Sequence, residues 1–519
     1  VVISSILINI LKTYLARMNK SIELINQRIH DGNARVVTAE EMPDIVQELG
    51  EEAALREVDV VTTGTFGAMC SSGAFLNFGH AEPPIRMERV WLNDVEAYGG
   101  LAAVDAYIGA TQGSTTRGEN YGGAHVMEDF IAGKSIELRA ISRGTDCYPR
   151  RTITTELVLD DLNQAIMCNP RNGYQRYNAA ANTTERVLHT YMGTLLPGCG
   201  NVTYSGAGLL NPIMNDPSFT AIGGGVPLFL GGGPGMVIGE GTQASPAGGF
   251  GTLMVTGEMQ GMSRDFIRAA TMTEYGVTLY VGLGIPLPIT SIGMVRSTAV
   301  RDEDILVDLM DYGVPSRNRP SLRKVSYAEL RKGIIEIGGE EVRTSSLSSY
   351  RKAREVAVLL KNWVEQGKMQ MVAPSRRIDV GKSAKPMHET IHVPRVIDIM
   401  NRRFVSIGED EDIRTAARTL LKGESNHLPV LNREGELVGI VTTYDISKAV
   451  VNPGKASHVK DIMKKKVVTT TPDEPVDIAV QKLERHNISA LPVIDRENHV
   501  LALLTAMDLS KLVGGRWLK

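Results

Sequence analysis

The sequence has no CxxC pair and no cluster of cysteine with histidine, and its only four cysteines stand apart at 70, 147, 168 and 199. No zinc site or iron–sulfur cluster is therefore legible, and the usage fits reduced thiols in a cytoplasmic compartment. There is no G-x-G-x-x-G after a strand, no Walker A loop and no repeated barrel unit, so no bound cofactor is expected in this chain. A formal net charge of -3, with signs interspersed, provides no field to gather nucleic acid or an anionic membrane. Small metabolites are the expected partners. Long apolar runs are missing as well. The opening Val1 to Leu11 is too short to span a bilayer and lacks a basic leader and a cleavage site, and Val226 to Ile238 is broken by glycine and proline. Residues 1–18 read as an extension of non-native character, because a more ordinary polar helix is expected from Asn19 to Ile29.

What is present begins with size. A length of 519 residues predicts roughly three domains, and 43% hydrophobic with 22% charged residues is ordinary for a globular protein. The last third contains a duplication. A shift of 63 residues lays Leu428-Pro429-Val430 on Leu491-Pro492-Val493, Ile399-Met400 on Ile462-Met463 and Asp445 on Asp508. In each copy a helix with one apolar face (Ile413, Ala416, Ala417, Leu420; then Val476, Ala479, Val480, Leu483) precedes two strands. A final helix then opens on Thr442-Thr443-Tyr444-Asp445 and on Thr505-Ala506-Met507-Asp508.

These residues resemble a tandem pair of cystathionine-β-synthase-type (CBS) modules of βαββα form, with modules expected at 394–450 and 456–515. The resemblance implies dimer formation and an adenosyl ligand such as S-adenosylmethionine, with Thr442, Asp445, Thr505 and Asp508 as its contacts. Ala502 replaces the Gly439 of the first copy, which points to one good site at most. The polar stretch 373–393 reads as a linker. Before it, Tyr350 to Gly367 is a helix with Val356, Leu359, Leu360 and Trp363 inward and Gly367 as its stop.

From 19 to 372, short apolar stretches such as Val58 to Val61, Ser135 to Ala140 and Val277 to Val281 alternate with helical segments and glycine turns, predicting an α/β or α+β fold. Gly223-Gly224-Gly225 and Gly231-Gly232-Gly233-Pro234-Gly235 bracket Val226 to Leu230. They read either as anion-binding loops or as tight turns around a buried strand. Cys147 lies in Arg143-Gly144-Thr145-Asp146-Cys147-Tyr148-Pro149-Arg150-Arg151. Guanidinium charge nearby lowers a thiol from its usual value of about 8.5, which makes Cys147 the candidate nucleophile. Cys70 follows a strand and precedes a glycine turn, a pattern for a pocket rim. Cys168 and Cys199 read as packing and loop residues.

Gly64 to Gly73, Arg143 to Arg151 and Asn169-Pro170-Arg171-Asn172 resemble the homocysteine-biosynthesis family, whose members are L-aspartate semialdehyde sulfurtransferases that often carry C-terminal CBS pairs. The resemblance implies a persulfide on Cys147 delivering sulfur to the C4 aldehyde, with Cys70 as the second functional cysteine. Thioaldehyde must then be reduced to thiol. An external reductant is required, and the family suggests a ferredoxin-like iron–sulfur protein. Arg150, Arg151 or Arg171 would clamp the substrate carboxylate. His125 and His80 are candidates for protonating the departing oxygen. The competing expectations are a nucleotide oxidoreductase resembling inosine-monophosphate dehydrogenase and a non-enzymatic, nucleotide-responsive scaffold.

Overall fold

The computed structural model describes residues 20–171, 173–316, 319–387, 394–451 and 456–513. The expected extension at 1–18, Asn172 and the 388–393 part of the expected linker lie outside the described residues. The chain divides into two units, 1–385 and 386–519. No helix among the described residues is long and apolar enough to cross a membrane.

Frequent glycine and proline keep the strands of the first unit short, and short strands joined by tight turns pair antiparallel. Its largest sheet has nine strands. Gly276–Gly284 pairs with Pro227–Leu230, which continues through Gly233–Glu240, Leu253–Glu258 and Gln164–Cys168 to Gly73–Asn77, each pair antiparallel. Thr65–Ala68 pairs with Gly276–Gly284 from the other side. Thr65–Ala68 and Gly73–Asn77 are joined by only the turn 69–72, yet four strands of the sheet order lie between Gly276–Gly284, the partner of the first, and the second, so the sheet curls back on itself. A six-stranded sheet containing Leu306–Asp311 and Ser321–Ser326 mixes parallel and antiparallel pairs. The architecture is a mixture of α and β whose largest sheet is antiparallel, the α+β form of the two expected.

The helix Tyr350–Glu365 lies on this curled sheet. Ser349 caps its start, and Ala353, Val356, Ala357, Leu360 and Val364 form its buried stripe. Leu359 and Trp363 are partly buried beside that stripe, and Gly367 takes the left-handed conformation beyond its end. The approach depends on glycine. A Cβ at Gly64 would lie 2.1 Å from the Ala353 carbonyl oxygen, and one at Gly284 would lie 2.8 Å from Val356. The second glycine cluster is a tight turn, as in the second expectation, whereas Gly223 and Gly224 form a short strand. Gly231 and Gly232 both have positive φ in the hairpin that follows the fully buried Leu228, Phe229 and Leu230. Gly223–Gly224 pairs with Arg376–Arg377, and Ile378 is buried in the main core. The start of the expected linker is thus part of the first unit, a pairing made by backbone groups that side-chain periodicity does not report.

In the second unit the two copies exchange their leading segments. Val396 packs into the core of the second copy with Ala479, Leu483 and Leu491, and Val459 packs into the core of the first with Ala416, Leu428 and Val441. Backbone bonds fix the exchange, with Val396 N–H donating to Glu474 and Val459 N–H to Glu411. Met463 consequently covers Gly439, where a Cβ would meet its sulfur at 2.5 Å. Ala502, at the matching place, is fully buried in its own core. The glycine-to-alanine difference therefore follows a packing difference.

Candidate active site

Cys70 occupies the turn between Thr65–Ala68 and Gly73–Asn77, which is closed by Ser72 N–H and the Ser72 hydroxyl donating to the Met69 carbonyl. The curl of the sheet directs this turn toward Gly276–Gly284. The Cys70 thiol donates to the Thr278 hydroxyl at 3.4 Å. Tyr275 stands near the same sulfur, and burial with the neighbouring sulfur pushes its phenol up to about 12. It stays protonated and can donate. From the other side come residues of the Asn169-Pro170-Arg171 segment. Asn169, at φ 56, and Arg171 both bond to Ser71, Arg171 Nε at 2.9 Å, and Arg171 Nη1 also donates to the Thr242 carbonyl. Burial pulls the Arg171 pKa down, while Tyr177, the Cys70 sulfur and Tyr174 oppose it. A guanidinium thus stands in the field of Cys70, supplied from 100 residues beyond Ser71.

Beside this sulfur lies a cavity of about 520 Å³, lined by Cys70, Arg171, Tyr275, Asp308, Tyr312 and Arg319 among others. Its volume suits a small metabolite. The tyrosines form a connected wall, with Tyr191 hydroxyl 2.8 Å from that of Tyr312 and the Tyr191 ring against Tyr275 and Tyr312. Burial raises the pKa of Tyr177 and Tyr312, so this wall offers neutral hydroxyls beside the Cys70 sulfur. Apart from Cys70 and Arg171, the cavity residues were not marked by the sequence. Thr278 is 208 positions from Cys70, and no local spacing signals that pairing.

Cys147 stands elsewhere. It is exposed, in a turn where Thr145 and Tyr148 bond each other's backbone, and its sulfur lies 3.6 Å from the Thr145 hydroxyl. The turn is anchored on the segment after Gly73–Asn77: Tyr148 stacks on His80, Arg150 N–H and Nη2 donate to the Pro84 and Glu82 carbonyls, and Arg143 pairs with Glu88 at 3.3 Å. Cys70 is at the opposite end of that strand, whose 5 residues at about 3.3 Å each span roughly 15 Å. The arginines expected to converge on Cys147 are occupied elsewhere or exposed, Arg151 among the latter. Alternate residues of a turn point apart, which adjacency in sequence conceals.

Arg150, Arg151 and His125 do not line this cavity. His125 is the third residue of the helix Gly123–Ile131. Its Nδ1 accepts from Gly122 N–H at 3.2 Å, its ring stacks on Tyr121, and burial pushes its pKa down. It caps a helix. His80 is exposed against Tyr148. Burial raises the thiols of both Cys168 and Cys199, in keeping with inert packing and loop positions.

In the second unit each Thr-x-x-Asp forms a reciprocal cap. Asp445 accepts from Thr442 N–H at 2.9 Å and from its hydroxyl at 2.6 Å, and the Thr442 hydroxyl accepts from Asp445 N–H. Thr505 and Asp508 repeat the arrangement. Across the two copies, His427 Nε2 lies 2.8 Å from the Ser489 hydroxyl.

A family model described as homocysteine biosynthesis enzyme, sulfur-incorporation, matches residues 34–371, and the CBS domain model matches 396–452 and 459–515. L-aspartate semialdehyde sulfurtransferase of Methanosarcina acetivorans is 53% identical over 500 residues, covering 96% of this chain and 100% of that one. The protein of the same name from Methanocaldococcus jannaschii is 50% identical over 514 residues, covering 96% and 99%. A solved CBS domain pair in complex with 5′-methylthioadenosine and S-adenosyl-L-methionine is 36% identical, covering 24% of this chain and 98% of its own, with a TM-score of 0.23. Matched over well more than half its length, and paralleled nearly end to end by two relatives, the chain belongs to the homocysteine-biosynthesis, sulfur-incorporation family and carries a CBS pair behind that domain.

Proposed function

We propose that this enzyme transfers sulfur to the C4 aldehyde of L-aspartate semialdehyde and that reduction then yields L-homocysteine. The observation that carries this reading is the cavity at Cys70, where a sulfur, the Tyr275 hydroxyl and the Arg171 guanidinium meet in a space of metabolite size. The names of the two long relatives favour sulfur transfer over the nucleotide-oxidoreductase and scaffold alternatives.

The two cysteines divide the work. Cys147, exposed, takes a sulfane sulfur from a donor as a persulfide. Cys70 thiolate attacks the outer sulfur of that persulfide, so that one S–S bond forms as another breaks and Cys147 thiolate leaves, with no net redox change. This step requires the two turns to approach, and the ties of the Cys147 turn are surface contacts of small strength. The terminal sulfur on Cys70 then adds to C4 while Tyr275 donates its proton to the aldehyde oxygen. Two electrons and two protons cleave the S–S bond and restore Cys70. Loss of water gives the thioaldehyde, and two further electrons and protons give the thiol. An external low-potential donor, of ferredoxin-like iron–sulfur type, supplies all four electrons. The CBS pair senses an adenosyl compound such as S-adenosylmethionine, with Asp445 and Asp508 presented by their capped helix starts to ribose hydroxyls.

The test supplies the purified chain with aspartate semialdehyde, polysulfide and a low-potential chemical reductant and assays homocysteine by mass spectrometry. Homocysteine is expected from the intact chain and not from Cys70→Ala. Absence of product from the intact chain refutes the reading.

A further inference from the structure

Of the three arginines at the cavity, Arg176 is exposed and Arg171 is already committed. Its Nε donates to Ser71 and its Nη1 to the Thr242 carbonyl, which ties it to the Cys70 turn rather than to a ligand. Arg319 differs. Its guanidinium stacks 4.3 Å from the Tyr312 ring centroid, it is half-buried, and among the described residues it has neither a hydrogen bond nor an ion pair. Its Nε is fully covered and unpartnered. A covered N–H without an acceptor is costly, and an unsatisfied buried donor in a native structure points to a partner such as a water or an ion.

One carboxylate also lines this cavity, that of Asp308. The alternation of Leu306–Asp311 sets it there: Val307 and Leu309 are buried in the core of their sheet, while Asp308 and Met310 take the opposite face and line the cavity. Ser321 donates to one Asp308 oxygen at 2.9 Å and holds the side chain. Asp308 and Arg319 do not pair with each other. A cation and an anion that line one cavity unpaired match the head of a free α-amino acid, whose carboxylate and ammonium carry the opposite signs. Cys70 and Tyr275 come from the curled sheet, and Arg319 and Asp308 from the other, so the cavity offers a reactive wall and a charged wall.

We infer that Arg319 and Asp308 recognise the α-carboxylate and α-ammonium of the substrate and thereby select a short α-amino acid aldehyde. This assignment rests on the reaction proposed above for the same cavity. It makes Arg319, in place of Arg150 or Arg151, the specificity residue of this reading.

The test reads binding without turnover. L-Homoserine, which has the same head and an alcohol in place of the aldehyde, is used to protect Cys70 from iodoacetamide, whose methylene bonds to the sulfur as iodide leaves. Alkylation is followed on the Cys70 peptide of the full chain by mass spectrometry. L-Homoserine is expected to slow the reaction, and 3-amino-1-propanol, which lacks the carboxylate, to leave it unchanged. In Arg319→Gln the homoserine concentration for half protection should rise about tenfold or more, the loss typical of a charge-assisted pair. Arg319→Lys should recover part of it, and the unprotected alkylation rate should stay the same in both variants. Asp308→Asn should weaken protection by homoserine and not by propionate. Equal protection of the intact chain and Arg319→Gln, or no protection of the intact chain, overturns the assignment. The homocysteine assay decides separately on the reaction: a chain that makes none, yet shows Arg319-dependent protection, retains this anchor and loses the chemistry.

Discussion

The turns at Cys70 and Cys147 use opposite means to surround a sulfur. Around Cys147 the polar residues are neighbours in sequence, and in space they disperse: Arg143 to Glu88, Arg150 to the Glu82 carbonyl, Arg151 to solvent. Around Cys70 the sequence is bland, and in space Thr278, Tyr275 and Arg171 converge from distant segments. A reactive environment is assembled by the fold of a curled sheet. A run of charges on a turn is mostly a solvated surface. Exposure suits receipt of sulfur from another molecule, and the cavity suits its delivery to a small one.

The sharpest way to break this comparison is to remove each sulfur in turn. Cys70→Ser and Cys147→Ser should each lower homocysteine formation by about a thousandfold or more, since the proposed route makes both covalent carriers. The two variants should differ in what they retain. After polysulfide treatment, Cys70→Ser should still show one added sulfur atom on the Cys147 peptide, whereas Cys147→Ser should load Cys70 poorly. Equal direct loading of Cys70 in Cys147→Ser would end the division of roles. A smaller loss, about a hundredfold in turnover, is expected for Tyr275→Phe, which removes a proton donor and leaves Cys147 loading intact. The same assays measure it. Smaller still are the effects of the arginines on alkylation by iodoacetamide. Arg171→Gln should slow modification of Cys70 several-fold, while Arg150→Gln and Arg151→Gln should change the Cys147 rate by less than about twofold.

The sequence was legible where function follows local pattern. The 63-residue repeat, the helix from Tyr350 with Gly367 as its stop, and the Thr-x-x-Asp helix starts are short-range features, and each has its structural counterpart. Arg171 was reachable because it belongs to a recognisable segment. The cavity was not legible. Asp308, Arg319, Tyr275 and Cys70 meet only after strands far apart in sequence have paired, and alternation of apolar residues reports which face is buried without naming what it faces. The exchanged leading segments of the CBS copies escaped for the same reason. Val396 and Val459 occupy equivalent places in the repeat, and a repeat looks identical whether each copy packs on itself or on the other.

The two copies of the repeat allow a finer comparison at His427, whose counterpart under the 63-residue shift is Ala490. His427 bonds to Ser489 across the copies, and burial holds its imidazole below the ordinary value of 6.5. The unfolded chain therefore binds a proton at a higher pH than the folded one. Above 6.5 neither state is protonated there, and the contribution to stability is complete; as pH falls below 6.5 toward the folded value, the unfolded state gains protons first and stability is lost. Because the ring is only partly buried, the effect on thermal unfolding should be a few degrees. The melting temperature of the full chain should drop more between pH 7.5 and 5.0 than that of His427→Gln. Proton NMR of the ring should place its titration below that of free imidazole. A His427 resonance titrating above 6.5 would mean that the bond to Ser489, and not burial, governs this contact between the copies.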